Sequence, residues 1–423
     1  LPHSPVAPLY ATMVALFEPM KRLRANTLMK CNPPLEFFPR AFLAGGLVLT
    51  GLSVSGQTVI TLEPYVAVAP NVQASERVVS RETVEAAKPI DLAEILSNQM
   101  PAAALSRRSP LAGDIVLRGL SRDNVVITVD DTKTYCACPN RMDPPAFHVS
   151  SQQIEAVRVR TGPFSVDQGG AIGGSVFVQT AEPEYAPTLR AYGYVGSFDY
   201  YAAGIAGGAP LMEDNLFSLA GFYYQEGGVY EDGSGTRFTE FAGTNYLPQY
   251  VDDRAYRVVS ADAKVAYDLE NGGNVNVGFG YQDATDVLYP GLRMDALSDT
   301  MVRGSVGLRM PFETSSWADG WQAALAFSTV DHDMRDSFRT SSQTNMLSIS
   351  RGYMMRTEAE TAFYGLRIGA YQNSDDTQIR YGIDLKRRLW DANNVVGPNV
   401  NDMIPDVTSD SVGFWAVYEK AFD

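Results

Sequence analysis

The chain has 423 residues, 20% of them charged, 45% hydrophobic and 11% aromatic, with 36 Gly and 22 Tyr. That length supports two or more domains with true cores, and the Gly and Tyr content suits strands and tight turns better than a helical protein. A net charge of −15 argues against nucleic acid, whose phosphates need a basic face, and leaves solubility or an attraction for cations as its meaning.

Residues 1–56 read as upstream residues followed by an export signal. Lys21, Arg22, Arg24, Lys30 and Arg40 precede the apolar run Ala41–Leu49, and Ser53–Ser55 offers small residues for cleavage. Met20 and Met29 are both available as starts. No run of 18 apolar residues occurs, so no membrane-spanning helix is expected. Three cysteines do not make a disulfide framework. Cys31 precedes the apolar run, so a processed chain keeps Cys136 and Cys138 alone.

Residues 57–84 comprise a β-prone, Pro-punctuated stretch (Thr58–Pro70) and a linker. Residues 85–185 read as a small α+β domain. Asp91–Met100 places Leu92, Ile95 and Leu96 at helical spacing. Short strands are expected at Ile115–Leu120, Asn124–Asp131, Ile154–Pro163 and Gly173–Thr180, the last two joined by a Gly-rich turn.

From residue 186 to 423 there is no convincing helix. About ten segments alternate apolar and polar residues, as in Leu189–Val195, Asn215–Tyr224, Arg257–Tyr267, Asn274–Tyr281, Trp321–Val330 and Thr377–Leu385. Short connections alternate with long ones, expected at Gly227–Asp253, Asp283–Asp299, Met334–Gly352 and Asp391–Asp410. That pattern predicts an outer-membrane β-barrel. A soluble β-sandwich also alternates, but long aperiodic loops on every second connection weigh against it.

The stretches I-V-L-R-G-L-S-R-D-N-V-V-I-T-V-D-D (Ile115–Asp131) and I-E-A-V-R-V-R-T-G-P-F-S-V-D-Q-G-G-A-I-G-G-S-V-F-V-Q-T (Ile154–Thr180) strongly resemble the plug domain of TonB-dependent outer-membrane receptors. Asp131 stands where that family usually has Gly, and Arg158 where it usually has an acidic residue. The resemblance implies a plug inside a 22-stranded barrel set in outer-membrane lipid. It also implies transport energised by the TonB–ExbB–ExbD inner-membrane complex through a short N-terminal box, for which Val59–Ala69 is the candidate. About 240 residues hold only about ten strands of ~9 to 11 residues with their connections, so the barrel expected here is partial.

The stretch Tyr135–Pro145 reads Y-C-A-C-P-N-R-M-D-P-P, at the position that forms the outward apex of the plug in that family. Cys138 and Met142 are four apart, so one helical turn opened by Pro139, or a tight loop, brings both sulfurs to one side. Thiolate and thioether together select copper(I), or silver, over oxygen-preferring cations. A third donor is offered by H-D-M (His332–Met334), where a strand meets a long loop. The pair of motifs is similar to the copper-binding pattern of receptors of the OprC/NosA type. That resemblance implies Cys138, Met142 and Met334 as ligands of a transported copper(I), with His332 assisting capture. The plainer readings are a packed Met and a surface His. Cys136 has three readings: a disulfide with Cys138, a fourth ligand, or a small buried residue. His148 reads as structural.

No H-E-x-x-H, G-x-x-x-x-G-K-[ST] or G-x-S-x-G is present, so an enzyme is not expected. Gly169–Gly174 is a turn rather than a phosphate cradle. Two rival functions stay open: a receptor for an iron–siderophore or another metal chelate, and a surface-binding or truncated remnant that does not transport.

Overall fold

The structure, a computed structural model, describes residues 76–421 apart from 213, 214 and 316. The expected export signal and the box candidate at Val59–Ala69 lie outside the described residues.

The first domain is built on a five-stranded sheet. Its strands are β1 (Glu76–Ser80), β4 (Val125–Val129), β5 (Thr132–Lys133), β6 (Ile154–Thr161) and β7 (Gly174–Thr180), in the order β1-β6-β7-β4-β5. A separate hairpin pairs β2 (Ala103–Arg107) with β3 (Gly113–Leu117). Helix α1 covers Arg81–Ala87 and α2 covers Leu92–Gln99. The helix expected from spacing is thus present, opened by Asp91, whose carboxylate accepts the Glu94 amide at 2.8 Å. Its Leu92, Ile95 and Leu96 enter a core with Val157, Val159, Val176 and Val178 of the sheet. Residues 76–84, read as linker from sequence, instead form β1 and the start of α1, with β1 paired antiparallel to β6.

Two backbone features explain the motif spacing. Asp130 and Asp131 both take positive φ, +47° and +63°, between β4 and β5. A two-residue hairpin turn of this hand needs positive φ at both centres, and Asp tolerates it better than most residues. Asp130 also accepts from the Thr180 amide at 2.9 Å and the Thr180 hydroxyl at 2.6 Å, tying the turn to β7. At Gly174, φ is +136° and an added Cβ would lie 2.4 Å from the Arg160 carbonyl, so β6 and β7 can meet there only over a glycine.

The second domain is a ten-stranded antiparallel meander, each strand paired to the next in sequence. Its strands are β8 (Thr188–Gly196), β9 (Tyr200–Met212), β10 (Leu216–Gly228), β11 (Arg254–Asp268), β12 (Asn274–Val287), β13 (Asp295–Pro311), β14 (Gly320–Arg335), β15 (Met355–Asn373), β16 (Thr377–Val396) and β17 (Asn399–Lys420). Large apolar side chains such as Ile205, Phe222, Phe279, Leu325 and Phe414 are exposed on it, as the lipid-facing rows of a barrel require. Among the described residues only the connections 229–253 and 336–354 are long, and the second carries a short helix, α3 (Met346–Arg351).

Two other loops expected to be long from sequence are not long. The Asp391–Asp410 segment lies within β16 and β17, of 20 and 22 residues, which turn at 397–398. The Asp283–Asp299 connection shrinks to 288–294. The physical reason is that the ladder continues past the ~9 to 11 residues needed to cross a bilayer. Polar residues beyond that length can remain in strand as long as their backbone groups stay paired.

Candidate metal centre

The segment between β5 and β6 forms the end of the plug that meets β12–β16 and the loops above them. Its backbone is organised by one carboxylate. Asp143 accepts from the Ala137 amide at 2.6 Å, the Cys138 amide at 3.0 Å and the Cys136 thiol at 2.8 Å. The chain then turns tightly, with the Arg141 amide donating to the Cys138 carbonyl at 2.9 Å and Arg141 at φ +54°. Of the two geometries open from sequence, Cys138 and Met142 therefore adopt the tight loop. Arg141 fixes the turn with a two-pronged contact to Asp114, both bonds 3.1 Å.

Barrel side chains take up the carbonyls this irregular loop leaves over. Trp390 Nε1 donates to Ala137 O at 2.7 Å, Arg388 to Cys136 O at 3.0 Å, and Gln282 to Phe147 O at 2.8 Å. Tyr289, itself fully buried, donates to Met142 O at 2.6 Å. A buried loop is tolerable only with such partners, because each unmet backbone group costs about 1–3 kcal/mol.

The sulfur residues expected as ligands are all buried in one part of the interior. Cys138, Met142 and Met334 all belong to one buried apolar cluster, at 2%, 1% and 2% exposure. His332, also buried, stands two residues before Met334 on β14, on the same face of the strand. A ring nitrogen of His332, the Cys138 sulfur and a carboxylate oxygen of Asp143 lie within 4.8 Å of one another. His332 Nδ1 is bonded to Asp299 Oδ2 at 2.7 Å across the β13–β14 ladder, where the two residues are register partners. Its Nε2 is buried without a hydrogen bond. A carboxylate that engages one imidazole nitrogen and leaves the other free is the usual arrangement behind a metal-ligating histidine.

Cys136 and Cys138 are both free thiols, so the disulfide reading is not realised. Cys136 is turned to Asp143 and also reaches the Cys138 carbonyl at 3.0 Å. Burial, then the Asp143 charge and the hydrogen bond to it, push this thiol well above its ordinary value. It stays protonated and acts as a donor, unlike a metal-ready thiolate. Burial acts to raise the Asp143 carboxyl, but the His332 and His148 rings and the Cys136 thiol outweigh it, holding Asp143 below the usual carboxylate range.

Sequence reasoning missed Asp143 and Asp299. Asp143 had a readable signal, since it directly follows Met142 in the opening motif. Asp299 had none, because only the strand register sets it opposite His332. His148, read as structural, sits between these two carboxylates.

Above the centre, Arg339 and Asp295 form a buried, two-pronged ion pair, with Nε–Oδ2 and Nη2–Oδ1 both 2.6 Å. Arg339 also donates to the Thr244 carbonyl, the Tyr246 hydroxyl and the Tyr289 carbonyl. One guanidinium thus joins the connections 229–253, 288–294 and 336–354 into a roof.

Comparison with known proteins bears first on the plug. Residues 69–175 match the family model described as TonB-dependent Receptor Plug Domain. Among solved structures the chain is similar to the copper transporter OprC, at 21% identity and TM-score 0.67, covering 81% of this chain and 52% of that one. It is also similar to the Serratia marcescens hemophore receptor HasR, at 14% identity and TM-score 0.58, covering 82% and 50%. The FrpB iron transporter from Neisseria meningitidis follows at 14% identity and TM-score 0.53, covering 75% and 49%. At these identities the likeness establishes the fold. The chain spans about half the length of each of these structures. No curated protein matches it by sequence.

Proposed function

We propose that this chain, which has the plug domain and the barrel fold of TonB-dependent receptors, serves outer-membrane import of copper. The neighbours that share the fold are transporters and receptors rather than enzymes. In this reading copper(I) is the substrate, taken by Cys138, Met142 and Met334 with His332 as the nitrogen donor. The observation that carries it is the burial of Cys138, Met142 and Met334, from two distant segments, in one cluster, with the Cys138 sulfur within 4.8 Å of a His332 ring whose Nε2 is unpartnered.

Each donor has a stated task. The thiolate of Cys138 supplies charge, and the two thioethers supply softness without charge, a combination that favours copper(I) over oxygen-preferring cations. Asp299 holds the His332 ring so that Nε2 is the free nitrogen. Asp143 fixes the Cys138 backbone. Burial excludes water, which strengthens binding and slows release. Release inward therefore needs an energised step, supplied in this reading by the TonB–ExbB–ExbD complex acting on the N-terminal side of the plug. The protein's place would be the outer membrane after removal of the export signal.

The test is elemental analysis of the purified chain after loading with copper(I), beside Cys138→Ala and Met142→Leu. Leu nearly conserves the volume of Met, so that change should cost under about 1.5 kcal/mol of packing while removing the thioether. About one copper per chain, lost in both variants, is expected. An unaltered chain that retains no copper would move the reading to a receptor for a metal chelate such as an iron–siderophore.

A further inference from the structure

Beside the sulfurs lies a second donor set of different chemistry. One ring nitrogen of His148 and one carboxylate oxygen from each of Asp143 and Asp299 come within 4.8 Å of one another. All three side chains are buried, His148 at 1% exposure and both aspartates at 0%. His148 Nδ1 is 3.3 Å from Asp299 Oδ1, and His148 Nε2 is 3.8 Å from Asp143 Oδ2. Neither ring nitrogen makes a hydrogen bond, and nor does Asp299 Oδ1.

Buried polar atoms nearly always have partners, so three orphans on two facing residues need a cause. Their spacing gives one. It is too long for good hydrogen bonds, but two atoms each ~2.0–2.2 Å from one zinc-like ion sit ~3–4 Å apart. The charges agree. Arg303 is spent on the His148 carbonyl at 3.3 Å and on Gln153 Oε1 at 3.4 Å, and Arg388 on the Cys136 carbonyl at 3.0 Å, rather than on the carboxylates. Asp143 and Asp299 are both buried, and their partners are two amides, a thiol and the imidazoles of His148 and His332, so a cation between them is favoured.

We propose that Asp143, His148 and Asp299 form a second cation position, next to the sulfur cluster, for a divalent first-row ion that prefers nitrogen and oxygen. Zinc(II) and copper(II) both fit this donor set, whereas copper(I) belongs with the sulfurs. Asp143 adjoins both positions: its Oδ1 accepts from Cys138 and Cys136, and its Oδ2, which accepts from the Ala137 amide, lies on the His148 side with a lone pair to spare. The second position does not depend on the copper(I) reading, and the two can fail separately.

The experiment uses the full chain in detergent, loaded with copper(I) and then titrated with zinc(II), copper(II) or cobalt(II). One divalent ion per chain is expected without loss of copper(I), and competition between zinc(II) and copper(II) identifies the preferred ion. The cobalt(II) spectrum should lack a thiolate charge-transfer band. His148→Gln should weaken the divalent ion at least a hundredfold while copper(I) stays bound, and Asp299→Asn should weaken it comparably. A copper(I)-loaded chain that takes no divalent ion, or that gives a strong sulfur-to-cobalt band, overturns the proposal. So does unchanged divalent binding in a folded His148→Gln or Asp299→Asn chain. Where copper(I) loading itself fails, the titration is run on Cys138→Ala. One divalent ion bound there upholds the second position although the copper(I) reading has failed, and none bound removes both.

Discussion

The two ends of the plug meet the barrel through different physics. At the end below the long connections the contact is dry: Trp390, Tyr289, Arg388 and Arg303 cap plug carbonyls, and the ion pair that joins the roof, Arg339–Asp295, is 3% and 0% exposed. At the end with the short turns, plug and barrel border a cavity of about 490 Å³ lined by Asp130, Asp131, Arg160, Lys264, Arg380 and Lys386 among others. The pairs there are wetter, as in Arg380–Asp167 at 25% and 8% exposure. A dry end can discriminate among ions by donor type, since water does not compete there. A charged, hydrated end can let a plug shift without leaving naked charges behind. In the proposed function, selection and passage would thus fall to different ends of one interface.

The sharpest way to break this contrast is to remove one partner from the dry ion pair. Arg339→Ala leaves Asp295 buried with only the Tyr246 hydroxyl and the Tyr289 amide as donors. The expected loss is about 3–5 kcal/mol, the range for stranding a buried charge. It should appear as a lower unfolding midpoint and faster hydrogen exchange in all three joined loops. A loss confined to one loop would mean that the roof is not a unit.

Asp91 tests dryness by pH. It lies at the same end, where Gln225 donates to the neighbouring Ile90 carbonyl. Burial, opposed by Arg107, pushes its carboxyl up to about 6. A raised folded value means that its stabilising contribution is fully present below the ordinary value of 3.8, and is lost as pH rises through about 6. The swing is roughly 3 kcal/mol for a shift of about two units. Asp91→Asn, which can still cap α2, should flatten that part of the stability profile between pH 4 and 7. A profile of unchanged slope would show that the carboxyl is hydrated after all.

Tyr289→Phe is milder. It strips the Met142 carbonyl of its 2.6 Å donor without changing shape, for about 1–3 kcal/mol. Because that carbonyl is on a ligand residue of the proposed site, copper(I) should also dissociate faster from the variant.

How far the sequence carried these distinctions depends on range. Signals that act locally were readable: the helical spacing in Asp91–Met100, the strand alternation, and the Cys138–Met142 spacing. His332 and Met334 could be tied to that spacing only through resemblance, since no local pattern says which strand will face the plug. Asp299 and the Arg339 roof were hidden because they depend on register and on loops more than 40 residues apart, as for Asp295 and Arg339. The strand extensions at Asp391–Asp410 were hidden for another reason. Polar, Pro-containing segments such as N-D-M-I-P-D read as loops, yet β17 pairs with β16 through that stretch, apart from bulges beside Ala392.

The smallest effect completes the comparison, because it sets one ion pair against another. Arg380 Nη1 donates to Asp167 Oδ2 at 2.8 Å and its Nη2 lies 3.5 Å from Glu419 Oε2, yet a quarter of its side chain is in water. Exposed pairs contribute about 0.2–1 kcal/mol and are screened as salt rises. Arg380→Ala should therefore cost about 1 kcal/mol or less, and less still at 0.5 M salt than at 0.05 M, salt levels chosen as roughly 4 Å and 14 Å of screening length. The Arg339→Ala loss should hardly change between the same two conditions, since no salt reaches a pair buried beneath three loops. Unfolding curves for both variants at both salt levels give four numbers. If the two losses respond to salt alike, the dry and wet ends are not physically distinct, and the division between selecting an ion and passing it on loses its basis.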